Sequence, residues 1–141
     1  MMPTTKQIAE EVSVLMPVIA RRILMGFFQT INITQTQIFT IMTLSEKAPC
    51  QLNELSQKLG IAAPTTTGIV SRLERSGYVR RTHDKNDRRV VNVGLTPKGK
   101  RIAKKLKTTI KRKWEVLLAK LPKKDQANYV RILRKIQRSM Q

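Results

Sequence analysis

The chain of 141 residues has the length of one ordinary domain, and 40% hydrophobic with 26% charged residues supplies a core and excludes disorder by composition. One cysteine, Cys50, and one histidine, His83, exclude a disulfide framework and an ordinary zinc site built within one chain. Twenty-eight Lys and Arg against nine Asp and Glu leave a net charge of +19, a surface that attracts polyanions, nucleic acid first and anionic membrane second.

Residues 12–20 are apolar, but Glu10 and Glu11 precede them where a signal peptide carries positive charge. Residues 23–45 hold no charge, yet polar side chains from Gln29 to Gln37 interrupt them, whereas a bilayer span needs about 20 predominantly apolar residues. A cytoplasmic protein with no membrane partner is the expectation.

Thr4-x-x-Gln7 is a capping-box pattern, and Ile8, Val12, Leu15, Ile19, Ile23 and Phe27 follow at steps of three or four, which predicts an amphipathic first helix. Pro17 lacks an N–H and crowds Ser13, so it is expected to kink or split that helix. Thr34-x-x-Gln37 is a second capping box, with Ile33 and Ile38 placed as a hydrophobic staple. Its helix runs through Phe39, Ile41, Met42 and Leu44, and Pro49 stops it. Leu52, Leu55 and Leu59 give a short third helix closed by Gly60, and Pro64 opens a fourth, with Ile69, Val70 and Leu73 inward and Gly77 at its end. Two short helices about the turn at 60–63 are a helix-turn-helix, whose second helix is offered to the major groove of DNA.

After Gly77 the period changes. Residues 78–83 and 89–95 are β-prone and are joined by the polar turn Asp84-Lys85-Asn86-Asp87, a hairpin that reads as a wing. Thr96-Pro97 caps a long helix whose Ile102, Leu106, Ile110, Trp114, Leu118 and Leu121 form one stripe. Pro122 breaks it, and Val130, Leu133, Ile136 and Met140 mark a last helix. Residues 97–141 carry sixteen bases against two acids, so this third holds most of the charge. Its lysines and arginines between 98 and 113 form a nearly continuous solvent face, readable as a diffuse field or as a dock for further DNA, an acidic partner or lipid.

This mainly α order with a small β-hairpin wing resembles the multiple-antibiotic-resistance regulator (MarR) family of winged-helix regulators across essentially the whole chain. The most specific stretch is Asp87-Arg88-Arg89-Val90-Val91-Asn92-Val93-Gly94-Leu95-Thr96-Pro97-Lys98-Gly99. A second runs from Thr67-Gly68-Ile69-Val70-Ser71-Arg72-Leu73 through Gly77-Tyr78-Val79. The resemblance implies six helices, with residues 1–32 and 97–141 forming a homodimer and residues 33–96 a winged lobe that reads an inverted repeat in double-stranded DNA. Long apolar stripes on the first, fifth and last helices, which need a partner, agree with it.

Pro64, Thr65, Thr66 and Thr67 fall in the first turn and a half of the recognition helix, where hydroxyls suit phosphates and thymine methyls. The bland alternative is that Thr and Pro simply start helices. Ser71, Arg72 and Arg75 lie further along the same helix. In the wing, the resemblance implies that Arg89 enters the minor groove or grips phosphate and that Asp87 orients it, with Lys85, Arg88 and His83 as electrostatic helpers. A plain hairpin salt bridge is the competing reading. The resemblance implies a cleft between the dimerisation helices and the winged lobe that takes a small aromatic or anionic effector, for which Met16, Arg21, Phe27, Phe28, Phe39 and Met42 are candidates, with Met25, Arg22 and Trp114 in the same group. The alternatives are ordinary core and, for Arg21 and Arg22, contact with the other subunit. Cys50 reads as an inert thiol.

No catalytic constellation, metal site or cofactor site is expected. The combined reading is a dimeric, sequence-specific repressor. Its alternative is an architectural DNA-coating protein without sequence choice.

Overall fold

The computed structural model describes residues 1–141 except the side chains of Gln29 and Thr30. Among the described residues the helices are α1 (Thr5–Leu24), the one-turn α2 (Phe27–Thr30), α3 (Gln35–Glu46), α4 (Leu52–Leu59), α5 (Ala63–Arg75), α6 (Pro97–Leu118) and α7 (Lys123–Ser139). The strands β1 (Cys50–Gln51), β2 (Val79–His83) and β3 (Val91–Leu95) form an antiparallel sheet in the order β1-β3-β2. No helix among the described residues is long and apolar enough to cross a membrane.

The chain divides into two compact units, Leu24–Lys107 on one side and Met1–Ile23 with Thr108–Gln141 on the other. The first is the winged lobe. Thr34 caps α3 reciprocally with Gln37, and the flanking Ile33 and Ile38 are both buried. Inside the lobe, Ile41 and Leu44 of α3, Leu55 of α4, Val70 and Leu73 of α5 and Val93 of β3 are closed to solvent almost completely. Gly60 ends α4 in the left-handed conformation at φ 66°, where a side chain would be strained. In the hairpin, Val79 pairs with Leu95 and His83 with Val91. The third strand, β1, was not expected: two residues carry no periodicity, and Cys50 and Gln51 join the sheet by pairing with Val93 and Asn92.

The other unit carries much apolar surface. Thr4 and Gln7 close the predicted capping box at the start of α1. Pro17 does not split α1, which runs through it to Leu24. The predicted stripe ends early, because the turn at Gly26, φ 94°, separates Phe27 from the helix. Ile8, Val12, Leu15 and Met16 of α1 are exposed, as are Val130, Leu133 and Ile136 of α7. Gln126 ties the end of α6 to α7, its Nε2 donating to the carbonyls of Leu118 at 2.8 Å and Leu121 at 2.9 Å. The long stripe of α6 is shared between units: Leu106 is buried in the lobe, whereas Ile110 and Trp114 lie half-buried in the other, with Trp114 5.7 Å from the Tyr129 ring.

The junction between the wing and α6 is the tightest point of the lobe. Thr96 N–H donates to the Tyr78 carbonyl at 3.1 Å, and Thr96 Oγ1 donates to the Gly77 carbonyl and accepts from Gly99 N–H. Lys98 Nζ donates to the Ser76 carbonyl at 2.8 Å and sits 4.6 Å from the centre of the Tyr78 ring. A Cβ on Gly99 would stand 2.0 Å from the Tyr78 carbonyl oxygen. Backbone cannot give way as a flexible side chain does, so Gly99→Ala is expected to lower stability by about 3 kcal/mol, read from the urea midpoint.

Candidate nucleic-acid interface

α5 starts with Ala62 at its N-cap, and no side chain satisfies the N–H groups of its first turn. Those donors and the helix dipole favour an anion. Pro64, Thr65, Thr67, Arg72 and Arg75 are exposed around this end and along one side. Thr66 is not. It is 0% exposed, and its hydroxyl donates to the Ala62 carbonyl at 3.2 Å, so it packs the helix against the lobe and leaves the set of DNA-contacting candidates. The physical reason is periodicity: 66, 69, 70 and 73 form the inward face, and Thr66 is its first member.

Ser71 is half-buried and its hydroxyl oxygen accepts from Arg81 Nη2 at 2.8 Å. The same guanidinium donates to Glu74 Oε1 at 3.0 Å and to the Thr67 carbonyl at 3.2 Å, while Arg81 N–H donates to Glu74 Oε2. Arg81 therefore fastens β2 to α5, a role the sequence reading missed. A signal existed. Alternation along the strand puts Arg81 on the side of buried Val79, where a cation needs a carboxylate, and Glu74 is the acid within reach.

At the wing tip Asp84 Oδ1 accepts from the N–H groups of Asn86 and Asp87, a local turn that needs no partner elsewhere. Asp87 Oδ1 accepts from Arg89 N–H at 3.0 Å and from Arg89 Nε at 3.1 Å, and Oδ2 from Nη2 at 3.3 Å. The Arg89 side chain remains 90% exposed despite this clamp, so it is held in direction yet reachable. Lys85 and Arg88 are exposed beside it, and His83 Nδ1 donates to the Arg88 carbonyl at 2.9 Å. Arg89 also lines a cavity of about 170 Å³ with Gln51, Leu52 and Asn53, so the wing cation and the uncapped start of α4 face one space. A cation beside an uncapped helix start suits an anion, and Asn53 and Gln51 carry no sequence signal that marks them for such a place.

The effector candidates do not come together within one unit. Met16 and Arg21 lie in the α1 unit and are exposed; Phe27, Phe28, Phe39 and Met42 lie in the lobe, where Phe27 is buried edge-on to Phe28 at 6.4 Å and Phe39 is exposed. A cavity of about 320 Å³ in the α1 unit is lined instead by Arg22, Ile23, Arg112, Lys113, Val116 and Leu117. Cys50 is buried in β1, and burial first, then the Glu54 charge, pushes its thiol above the ordinary value.

Two outcomes follow from this geometry. Thr66→Ala removes a buried, bonded hydroxyl and is expected to cost about 1 kcal/mol of stability while leaving base preference at the operator unchanged, as selection from random sites would report. Asp87 is held below the usual carboxylate range by hydrogen bonds from the Arg89 side chain and backbone. Its contribution to wing-tip order is therefore complete above about pH 4 and is lost as pH falls through the lowered value. Amide protection at Arg89 should show that profile, and Asp87→Asn should abolish it.

The sequence model of the MarR family matches residues 33–91, the helix-turn-helix and most of the wing. The transcriptional regulator FarR of Neisseria gonorrhoeae is 31% identical over 102 residues, covering 70% of this chain and 70% of FarR. The chain spans 62%, 52% and 49% of the length of three curated transcriptional regulators of Bacillus subtilis that it also matches. Among solved structures, a MarR family protein from Bacillus stearothermophilus superposes with a TM-score of 0.84 at 28% identity over 98% of this chain and 99% of that one. Streptococcus pneumoniae FabT, solved in complex with DNA, shares the fold with a TM-score of 0.79 at 23% identity, covering 97% of each chain. By the FarR match over more than two thirds of both chains, together with the family model over the helix-turn-helix and hairpin, the chain belongs to the MarR family.

Proposed function

We propose that the chain is a cytoplasmic, dimeric transcription regulator that represses by occupying a pseudo-palindromic operator. The observation that carries this is the pairing, on one lobe, of the uncapped and exposed start of α5 with the clamped but accessible Arg89 of the wing. One presents a helix end to the major groove and the other a cation to the adjacent backbone or minor groove. Pro64, Thr65, Thr67, Arg72 and Arg75 are the candidate recognition contacts, and Lys85, Arg88 and Arg89 the wing contacts, with Asp87 orienting. DNA bound to FabT, a protein of the same fold, supports the reading.

Dimerisation rests on the uncovered apolar faces of α1 and α7, with Val116, Leu117 and Leu121 at the end of α6 and just beyond it. Surface of that extent is what an interlocking second copy buries. Residues 1–32 and 97–141 are the proposed dimerisation segments and 33–96 the reading lobe; the apolar faces to be covered lie within 1–23 and 108–141, and residues 97–107 belong to the same compact unit as the lobe. Relief by a small anionic ligand is supported by the cavity where Arg22, Arg112 and Lys113 surround apolar Ile23, Val116 and Leu117. No catalytic role is assigned.

The test is titration of a duplex whose half-sites lie about 10–10.5 base pairs apart, against a scrambled duplex at physiological salt. The wild type should prefer the former and sediment as a dimer. Arg89→Ala should weaken binding roughly tenfold to a hundredfold while the dimer persists. Equal affinity for scrambled DNA would instead make this an architectural protein, and a folded monomer in sedimentation would remove the inverted-repeat reading.

A further inference from the structure

The lobe has a second cationic surface that operator reading does not use. Strand alternation turns Arg81 toward α5, and so turns Arg80 and Thr82 to the other face of the sheet. There Arg80 and Thr82 line a cavity of about 420 Å³, which shares Ala48, Leu95 and Lys100 with a neighbouring cavity of about 330 Å³. Ser45, Lys104 and Lys107 line the second. Lys100, Lys104 and Lys107 thus follow one another along one face of α6, at axial steps of about 6 and 4.5 Å. Among the described residues none of these four cations is in an ion pair, and no carboxylate lines either cavity.

We infer that this groove is a second DNA-binding surface, which holds the phosphate backbone of a duplex other than the one beneath α5. The choice of DNA as occupant rests on the function proposed above. Charge complementarity favours it: a row of unpaired cations about 10 Å long, flanked by the hydroxyls of Ser45 and Thr82, meets a polymer with one charge per roughly 1.7 Å of axis. An acidic protein fits less well, because no aromatic side chain lines the groove, and aromatic anchors are what the centre of a protein interface favours. Because the groove and α5 lie on opposite faces of the wing sheet, one lobe can hold two duplexes. The protein is then a bridge between DNA segments, and part of its large positive charge has a defined place.

The groove variant replaces Arg80, Lys100, Lys104 and Lys107 with Gln; all four are exposed, and a thermal melt confirms that it folds. The recognition variant is Arg72→Ala with Arg89→Ala. Wild type saturated with an immobilised operator duplex should capture a second, labelled duplex of unrelated sequence, and the groove variant should capture it at least tenfold less. Its preference for operator over scrambled DNA in single-duplex titration should stay within about threefold of wild type, since backbone contacts carry no sequence information. The salt slope for the second duplex should fall by up to about 0.9 for each cation removed. The recognition variant should still bind scrambled duplex, and adding the groove substitutions should abolish that binding. That arm reads the groove even if the operator reading fails, since such a failure shows only as absent sequence preference. Equal capture by wild type and groove variant overturns the inference, as does no capture by wild type. So does a polyglutamate peptide that binds through these four residues more tightly than duplex does, because the partner would then be an acidic protein.

Discussion

The close approach of Gly99 to the Tyr78 carbonyl is the constraint on which the reading lobe depends. Three successive carbonyls at the end of the recognition helix, those of Ser76, Gly77 and Tyr78, accept from Lys98 Nζ, Thr96 Oγ1 and Thr96 N–H. Gly77 turns the chain there at φ 82° and Gly99 lets α6 come into contact. The end of α5, the root of the hairpin and the start of α6 are thereby fixed against one another. The proposed reading of DNA needs the hairpin tip at a constant offset from α5, and this junction is where that offset is fixed.

Arg81 carries the same constraint outward. Its bonds to Glu74, Ser71 and the Thr67 carbonyl run along the outer side of α5. Three arginines of the hairpin so divide the work by direction. Arg81 is spent on holding strand to helix, Arg89 is aimed outward by Asp87, and Arg80 faces the opposite side of the sheet. An exposed ion pair such as Asp87–Arg89 adds little stability, so its value is orientation. Removing a cation from each of these places should be felt in different measurements, although all three are the same residue type.

The α1 unit poses a different physical problem. Its helices are amphipathic in sequence, yet their apolar faces meet solvent along much of α1 and α7. Burial at roughly 25 cal/mol per Å² makes such surface expensive to leave wet, and a second copy is the economical cover. Most bases of α6 and α7 are exposed, whereas Lys113 is half-buried and its Nζ donates to the Arg22 carbonyl at 3.4 Å.

Sequence alone determined the six main helices, several of their ends and the winged plan, because these depend on local rules, although not the break at Gly26 that sets α2 apart from α1. Thr34-x-x-Gln37 closed as a capping box, Gly60 took the left-handed turn, and Thr96-Pro97 opened α6, each within a few residues of its partner. The exposed cations of α5 and the wing were legible for the same reason. What only the tertiary structure decided depends on partners distant in sequence or on burial. Cys50 and Gln51 became a strand because β3 lies beside them, and Thr66 turned inward because the helix phase is set by the core it packs on. The role of Arg81 required knowing that Glu74 and Ser71 share its face. Lys100, Lys104 and Lys107 read in sequence as one uniform solvent face; packing of α3, α6 and the sheet singled them out with Arg80, since only a fold can turn a run of charge into a groove.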